Sequence, residues 1–447
     1  MSDIRADFIR AASVPRDSGH ASGTLAEANA ILAAHPEIAT LDIHVAAIMG
    51  DDAAVVQWLE RDPTLSTATD APYGWDALTH LCFSKYLRLD ASRSDGFVRA
   101  ARALLDAGAD PNTGFFETDH QPAPERESVL YGAAGVAHHE ALTRLLLERG
   151  ADPNDEETPY HAPEGYELGA FRALLETRRL NAVSLATMLL RKSDWHDLDG
   201  MKLALEYGAS ATGVSKWGRS PLAHAIRSDN RAAIVELLLD HGADPTVPEN
   251  GRTPLVMAAW AGRDDLLQLF TRRGVKSVLE ALDGLLCEIA RGHADRVTAV
   301  LEKLPPLAES LRTHAPILMV RFAGNDNAAG INILLDIGIS VNITEPAGDG
   351  YLDRAPHSTA LHVAAARGRH ELVALLVGRG ADVTLRDGRG RTELMLAVRA
   401  CVDSYWVDEQ STTSIAALLA AGASVDGVPY PSGYADGDAL LAAHGAT

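Results

Sequence analysis

The side chains best suited to acid–base chemistry lie together in residues 155–166, which read DEETPYHAPEGY. The segment combines carboxylates, among them Glu164, with the imidazole of His161 and the phenol of Tyr160. Carboxylates and an imidazole within hydrogen-bonding reach of a substrate can donate and accept protons. The alternative is a solvated loop whose proline and glycine only form turns. We predict His161 and Glu164 as proton carriers if the chain is an enzyme, and Tyr160 as a ligand contact.

A second polar cluster lies at 193–197, where Trp195 and His196 stand between aspartates. We predict His196 and Asp197 as further proton carriers, again only for an enzyme, and Trp195 as a surface on which a ligand stacks. The alternative is a helix C-terminus, where a histidine lies near the negative end of the dipole. Direct contact between His161 and His196 is not expected, but a ligand could touch both.

Two further segments, 349–357 and 401–412, combine aromatic and charged residues and are candidates for ligand contacts. Their candidate ligand-binding residues are Tyr351, Asp353, Arg354, His357 and Tyr405. In the alternative interpretation, Asp353 and Arg354 only pair with each other at the surface, where an ion pair contributes little.

The elements that must position these side chains are repeated helices. An apolar helix followed by Gly-Ala-Asp occurs at 102–112, 144–154, 236–246 and 374–384. Weaker copies occur at 203–212, 333–342 and 417–426. Each glycine ends its helix at a position that requires a positive φ.

A second phrase precedes several copies, for example GRTPLVMAA at 251–259 and STALHVAAA at 358–366. A Ser or Thr cap, with proline at the first helical position in two copies, is typical of a helix start. The two phrases together resemble the ankyrin repeat family, in particular bacterial-type ankyrin repeat proteins with extended loops. The glycines Gly208, Gly242 and Gly274 follow one another at a spacing close to that family's period of about 33 residues.

The resemblance implies an all-α fold, an ankyrin-repeat solenoid of about ten helix–turn–helix units with long finger and inter-helix insertions. It divides the chain into an N-terminal tail and capping helix at 1–40, the repeat array at 41–426, and a C-terminal loop with a partial capping unit at 427–447. Finger insertions are expected at 113–126, 155–170, 343–357 and 427–436, and inter-helix insertions at 85–96 and 401–412. Such insertions would enclose a groove from both edges, and enclosure suits a small ligand.

By analogy with ankyrin repeats, the inner helices and fingers face a concave groove, which would here be basic and aromatic. The groove residues that we add to the candidate ligand contacts are Trp217, Arg219, Arg227 and Trp260. They would suit an anionic or sugar-like ligand, or an acidic peptide, through charge-assisted hydrogen bonds and stacking. The alternative is that each arginine pairs with an acidic finger residue such as Asp387.

The composition narrows the classes of function. With 40 basic and 61 acidic residues among 447, the net charge is −21, which disfavours a nucleic-acid partner or an anionic membrane surface. Cys82, Cys287 and Cys401 show no metal-binding spacing, and we predict neither metal nor cofactor. Residues 1–22 do not resemble a signal peptide, and we find no stretch long enough to span a membrane, which together favour a cytoplasmic protein.

Two hypotheses for the function follow. The first is a binding protein whose concave groove recognises a protein partner or an anionic or polar small molecule. The second is a cofactor-independent hydrolase, lyase or isomerase that acts on a polar small molecule by acid–base chemistry in an enclosed groove. Convergence of Tyr160, His161, Trp195 and Trp217 on one closed pocket would favour the enzyme.

Overall fold

The computed structural model describes residues 4–16, 18–117, 124–404 and 410–447. The chain forms two compact units, Met1–Pro221 and Leu222–Thr447. Each unit is built mainly of helix pairs, and the described residues contain eleven pairs, one more than the repeat count expected from the sequence. The predicted division into 1–40, 41–426 and 427–447 separates caps from repeats and does not describe compact units. It therefore stays a prediction. Among the described residues, no helix combines the length and apolar character needed to cross a membrane.

The described residues of the first unit form thirteen helices and one short hairpin. The helices are α1 (Ile4–Ala12), α2 (Ala26–Ala34), α3 (Ile43–Met49), α4 (Asp52–Arg61), α5 (Ala77–Cys82), α6 (Lys85–Leu89), α7 (Ser94–Asp106), α8 (Val129–Tyr131), α9 (Glu140–Glu148), α10 (Glu157–His161), α11 (Gly169–Glu176), α12 (Ala182–Asp194) and α13 (Leu198–Glu206). A π-helical segment, Gly132–Val136, continues α8, and 3-10 turns lie at Pro36–Thr40, Pro63–Ser66 and Ala91–Arg93.

The second unit also consists of helix pairs, and its first helix starts one residue before the unit boundary, at Pro221. Its helices are α14 (Pro221–Arg227), α15 (Ala232–Asp240), α16 (Pro254–Trp260), α17 (Asp264–Arg272), α18 (Ala281–Ala290), α19 (Ala294–Lys303), α20 (Pro306–Gly324), α21 (Ala328–Asp336), α22 (Ala360–Ala366), α23 (His370–Gly378), α24 (Glu393–Ala400), α25 (Thr413–Ala420) and α26 (Ala435–Ala443). A 3-10 turn lies at Gly350–Leu352.

The helix starts and ends follow from local hydrogen bonding. The carboxylate of Asp51 accepts the amide proton of Ala54 at 3.0 Å and caps α4, and Asn181 caps α12 through the amide of Ser184 at 2.8 Å. At the other end of a pair, Gly108 has φ +102 and its amide donates to the carbonyl of Leu105. Ser, Thr, Asp and Asn caps with a left-handed glycine are the usual way to satisfy backbone groups at helix ends.

The finger at 113–126 forms an antiparallel hairpin. Strand β1 (Gly114–Glu117) pairs with β2 (Glu125–Ser128), with Phe115 opposite Glu127. This register places the buried side chains of Phe115 and Glu127 in the first unit's core. Residues 118–123, between the two strands in the sequence, lie outside the described part of the chain.

Residues 155–176 form a helix pair, so the long finger expected at 155–170 is wrong. Helix α10 packs against α12 and the π-helical segment, while α11 packs against α9, as the two helices of a repeat do. Asp155 accepts the amide proton of Thr158 at 2.8 Å and starts α10. The pair ends at Arg178, which takes φ +55 where most other pairs have glycine. A search for Gly-Ala-Asp cannot detect such a repeat.

The N-terminal segment also contains more structure than the tail expected there. Helix α1 buries Phe8 and Ile9, and the amide of Val14 donates to the carbonyl of Phe83 at 2.9 Å. The ammonium group of Lys85 donates to the carbonyl of Ala11 at 2.9 Å. These contacts attach residues 4–14 to the α5–α6 region, which includes part of the insertion predicted between two helices.

Candidate functional site

Helix α10, the turn that follows it and helix α12 hold a chain of alternating charges. We call it the His161 network, and it consists of Glu157, His161, Glu164, Arg191 and Asp194. His161 Nε2 lies 3.2 Å from a Glu157 carboxylate oxygen, and its Nδ1 lies 3.2 Å from Glu164. Burial alone would lower the pKa of His161, but the two carboxylates outweigh burial and raise the pKa to about 9. His161 is therefore an imidazolium at neutral pH, and both ring nitrogens are engaged.

Arg191 connects the two helices of this network. Its guanidinium donates to the Glu164 carboxylate and, at 2.7 Å, to Asp194. It also donates to the carbonyl of Tyr160 at 3.2 Å and lies 4.1 Å from the centre of the Tyr160 ring. Burial would raise the pKa of Glu164, but His161 and Arg191 outweigh burial and lower it. The ionised groups of the network thus compensate one another and fix α10 against α12.

Tyr160 and Trp217 place aromatic surface beside this network. The Tyr160 ring lies 4.8 Å from the ring of His161 and 5.8 Å from that of Trp217, both edge to face. Trp217 is 46% exposed, and neighbouring Lys216 pairs with Glu156 at 3.1 Å. Three of the four residues expected to converge in an enzyme therefore do come together, but at the solvent boundary. The fourth, Trp195, contacts Tyr166 edge to face at 6.1 Å.

A second titratable cluster, at the base of the hairpin, was missed from the sequence. The Tyr131 ring lies 5.1 Å from His161, and its hydroxyl bonds to His20 Nδ1 at 3.0 Å. Glu127 is 4% exposed, and its Oε2 makes no hydrogen bond to any described residue. Burial, together with the charges of nearby glutamates, raises the pKa of Glu127 to about 8. Only the β1–β2 register brings Glu127 inside, so sequence spacing gave no signal for it.

Asp197 occupies a structural position. Its carboxylate accepts the amide proton of Gly200 at 2.9 Å, which caps α13, and pairs with the ammonium group of Lys192 at 2.8 Å. The Lys192 side chain is fully buried and also donates to the carbonyl of Gly165 at 2.9 Å. His196, in the turn between α12 and α13, has φ +53. His196 and Asp197 thus form the α12–α13 turn, whereas His161 and Glu164 lie in the network.

Arg219 and Arg227, two further predicted ligand contacts, make different kinds of contact. In the first unit, Arg219 closes a turn through the backbone, its carbonyl accepting from Ser215 at 3.0 Å. In the second unit, Arg227 lies 5.7 Å from the Tyr351 ring, whose hydroxyl bonds to His224 at 3.1 Å.

Trp260 and Tyr405 are also predicted as ligand contacts. The Trp260 indole donates to Asp283 at 2.8 Å, and the guanidinium of Arg252 lies 3.9 Å from its ring. Tyr405 lies outside the described residues.

Segment 343–357 folds on itself and against the next finger. Arg354 pairs with Glu345 at 3.4 Å rather than with its neighbour Asp353. Asp353 instead pairs with three arginines that follow α23, as described below. The amide of His357 donates to the carbonyl of Glu345 at 2.6 Å, and His357 has φ +61.

Other arginines at helix ends and in fingers pair with carboxylates, as Arg354 does. Arg367 pairs with the buried Asp229 at 2.7 Å, and Arg391 pairs with Asp387 at 2.8 Å. The finger residue Asp387, named in the alternative interpretation, thus does have an arginine partner, Arg391. Burial would raise the pKa of Asp229, but Arg321 and Arg367 outweigh burial and keep it ionised, with a lowered pKa.

Comparison with known proteins supports the repeat assignment. A family model described as Ankyrin repeats (3 copies) matches residues 188–279, and one described as Ankyrin repeat matches residues 357–388. The Caenorhabditis elegans ankyrin repeat and KH domain-containing protein mask-1 is 22% identical over 343 residues, which cover 63% of this chain and 13% of that protein. Human 2-5A-dependent ribonuclease is 40% identical over 86 residues, or 19% of this chain and 12% of that protein.

A solved structure, the human ASB11 ankyrin repeat domain, matches 67% of this chain and 99% of that domain, with 21% identity and a TM-score of 0.22. The chain spans less than a fifth of the length of the curated relatives it matches.

Proposed function

We propose that this chain, which is an ankyrin-repeat protein, binds a protein partner through the surface that Tyr160, Arg191 and Trp217 form on its first unit. Ankyrin repeats generally mediate protein–protein interaction. A polar or anionic small molecule that stacks on the same aromatic rings is the second ligand class that this surface would suit. We also propose a cytoplasmic location, which suits three cysteines that are all free and buried.

The observation that carries the proposal is the exposed ring of Trp217 against the half-buried ring of Tyr160, on a fixed charged frame. Trp217 leaves nearly half of its surface in solvent, and Tyr160 is held between Arg191 and His161. Aromatic and arginine side chains held in one geometry dominate the binding energy of many interfaces, because little conformational entropy is lost when they are buried. The frame therefore favours recognition of a partner.

The state of His161 favours binding over catalysis. A general base must be able to accept a proton near the working pH. His161 is already protonated at neutral pH, with Glu157 and Glu164 on its two ring nitrogens. Glu164 is in turn engaged by Arg191. The polar residues of the network thus serve to hold α10 and α12 in place.

Site-specific photocrosslinking tests the proposal. Benzoylphenylalanine replaces Trp217 in one sample and Glu206, an exposed residue of outer helix α13, in the control. We expect a discrete crosslinked protein, identified by mass spectrometry, from position 217 and none from position 206. Equal crosslinking from the two positions, or none from position 217 in an extract of the source cells, would reject the proposal.

The acid–base enzyme is the second candidate, and one observation favours it. Glu127 and His161 lie in adjoining clusters, and pKa values of about 8 and about 9 would make both of them proton donors near neutral pH. A co-purifying small molecule that raises the melting temperature of the wild type, but not of His161→Gln or Trp217→Ala, would support this candidate. A thermal shift that survives both substitutions would count against it.

A further inference from the structure

The inserted segment 343–357 of the second unit is a closed structure with an acidic residue at its turn. The amide of Glu345 donates to the carbonyl of Ser358 at 2.9 Å, and the Glu345 carboxylate accepts amide protons from Ala347 at 3.0 Å and Gly348 at 2.7 Å. Asp349 and Arg354 exchange backbone hydrogen bonds across the turn. Asp353 follows the 3-10 turn with φ +49, a conformation that aspartate tolerates better than most residues.

Three guanidinium groups surround the carboxylate of Asp353. Arg399 Nη1 lies 2.6 Å from one of its oxygens and Arg391 Nη1 lies 3.6 Å from the same oxygen. Arg389 donates to the other oxygen. Arg389 and Arg391 belong to the finger before α24, whereas Arg399 lies in the last turn of that helix. Two separate elements thus present positive charge to one point.

The three arginines do not need Asp353 to hold their backbone in place. The buried carboxylate of Asp387 accepts the amide protons of Arg389 and Arg391 at 2.9 Å each, and accepts from Arg391 Nε at 2.8 Å. Arg399 is fixed by α24 and also faces the exposed Asp403 at 3.9 Å. The site is therefore preorganised, which lowers the entropic cost of binding an anion.

Asp353 and two of its arginine partners are exposed, so another carboxylate can replace Asp353. Asp353, Arg389 and Arg399 are each close to half exposed, and exposed ion pairs contribute little free energy. Asp229 shows the contrast within the same unit. It is almost fully buried between Arg321 and Arg367, and removing one partner of a buried pair is costly.

We propose that Arg389, Arg391 and Arg399 form a binding site for acidic side chains of a protein partner, and that Asp353 occupies this site until the partner replaces it. The inference rests on the proposed function, since it names the chemistry of a bound partner. A partner carboxylate accepts the same hydrogen bonds that Asp353 accepts now. Planar guanidinium groups bind both carboxylates and phosphates. A carboxylate is the group that fills this site in the structure, which favours acidic side chains as its ligands.

The test measures the affinity of the full chain for a fluorescein-labelled hexaglutamate peptide by fluorescence anisotropy. Asp353→Asn removes the internal competitor and is expected to tighten binding about fivefold, the size of effect that exposed ion pairs provide. The matched control is Asp336→Asn, which makes the same change in net charge and releases Arg379 on another surface. We expect the control to bind as the wild type does.

Two further variants distinguish the loss of the Asp353 charge from a loosening of segment 343–357. Asp353→Glu keeps the competing charge and is expected to retain wild-type affinity. Adding Arg389→Gln and Arg399→Gln to Asp353→Asn should abolish the gain. An equal gain in Asp336→Asn or Asp353→Glu, or no gain in Asp353→Asn, would overturn the proposal.

A last experiment adds inorganic phosphate as a competitor of the labelled peptide. If phosphate displaces the peptide from Asp353→Asn at lower concentration than free glutamate does, the site selects phosphate and the proposal is wrong. All these readouts use a peptide and the second unit. They can therefore fail while crosslinking at Trp217 succeeds, and the reverse also holds, which keeps the two proposals distinguishable.

Discussion

His161 acts on the stability of the protein through its charge. Folding raises its pKa from 6.5 to about 9, because Glu157 and Glu164 outweigh the effect of burial. A group whose pKa is raised by folding binds its proton more tightly in the folded state. Its contribution to stability is therefore complete below about pH 6.5 and is lost as the pH rises through 9.

His161→Gln is expected to lower the free energy of unfolding by about 2 kcal/mol at slightly acidic pH and by much less above pH 9. Urea unfolding at the two pH values measures the difference. His241→Gln, in which an exposed histidine bonded to the carbonyl of Leu237 is replaced, is the control and should change little at either pH. The same loss at acidic and alkaline pH would show that His161 is not charged as described.

Glu127 changes the stability in the same direction as His161, but over a lower pH range. Its pKa rises from 4.5 to about 8 on folding, so the folded state keeps a proton that the unfolded state loses. Stability is expected to fall as the pH rises from about 4.5 to 8. Glu127→Gln should remove a decline on the order of 2 kcal/mol over that range, as measured by unfolding at several pH values. The exposed Glu148→Gln should leave the decline intact; if both variants behave alike, Glu127 is not its source.

At the scale of elements, the α12–α13 turn depends on one buried ion pair. Lys192 has a fully buried side chain, and Asp197 both pairs with it and caps α13. Lys192→Met leaves that carboxylate without its cation and should cost about 3 kcal/mol of stability. Lys202→Met breaks a comparable pair with Asp199 that is exposed, so it should cost less than about 0.5 kcal/mol. Urea unfolding compares the two, and equal losses would contradict the role of the buried pair.

The repeats were predictable from the sequence to the extent that each carries its own local signal. A Gly-Ala-Asp turn and a Thr-Pro start report on residues within a few positions of each other, and the helices they mark are present. The pair α10–α11 was missed because Arg178 replaces the expected glycine. Thr158-Pro159-Tyr160-His161 resembles the start of the other repeats and could have revealed this pair.

The candidate site was less predictable, because its geometry depends on packing. His161 and Glu164 are three residues apart, so their proximity follows from the sequence. Arg191 joins them from a helix 27 residues later, and only the packing of α10 on α12 brings it there. The pairing of Asp353 with Arg399 likewise spans 46 residues and could not be read from the segment around Asp353.

At the scale of the whole molecule, acidic residues outnumber basic ones by 21. A large net charge of one sign destabilises the compact state through self-repulsion, and salt screens it. We expect the melting temperature to rise between about 10 mM and about 150 mM NaCl, even though exposed ion pairs weaken over the same range. Choline chloride at equal ionic strength should give the same rise, since screening does not depend on the cation. A melting temperature that falls with salt would mean that attractive pairs dominate.

The tethered carboxylate of Asp353 competes with every anion that could bind the three arginines around it. Because the tether keeps it at an effective concentration of about millimolar or more, single anions from solution compete poorly with it. A partner with several acidic side chains can rebind through a second carboxylate when the first one dissociates, and it therefore competes successfully with Asp353. The inserted segment would thereby make the surface respond to the number of negative charges on a ligand rather than to their presence.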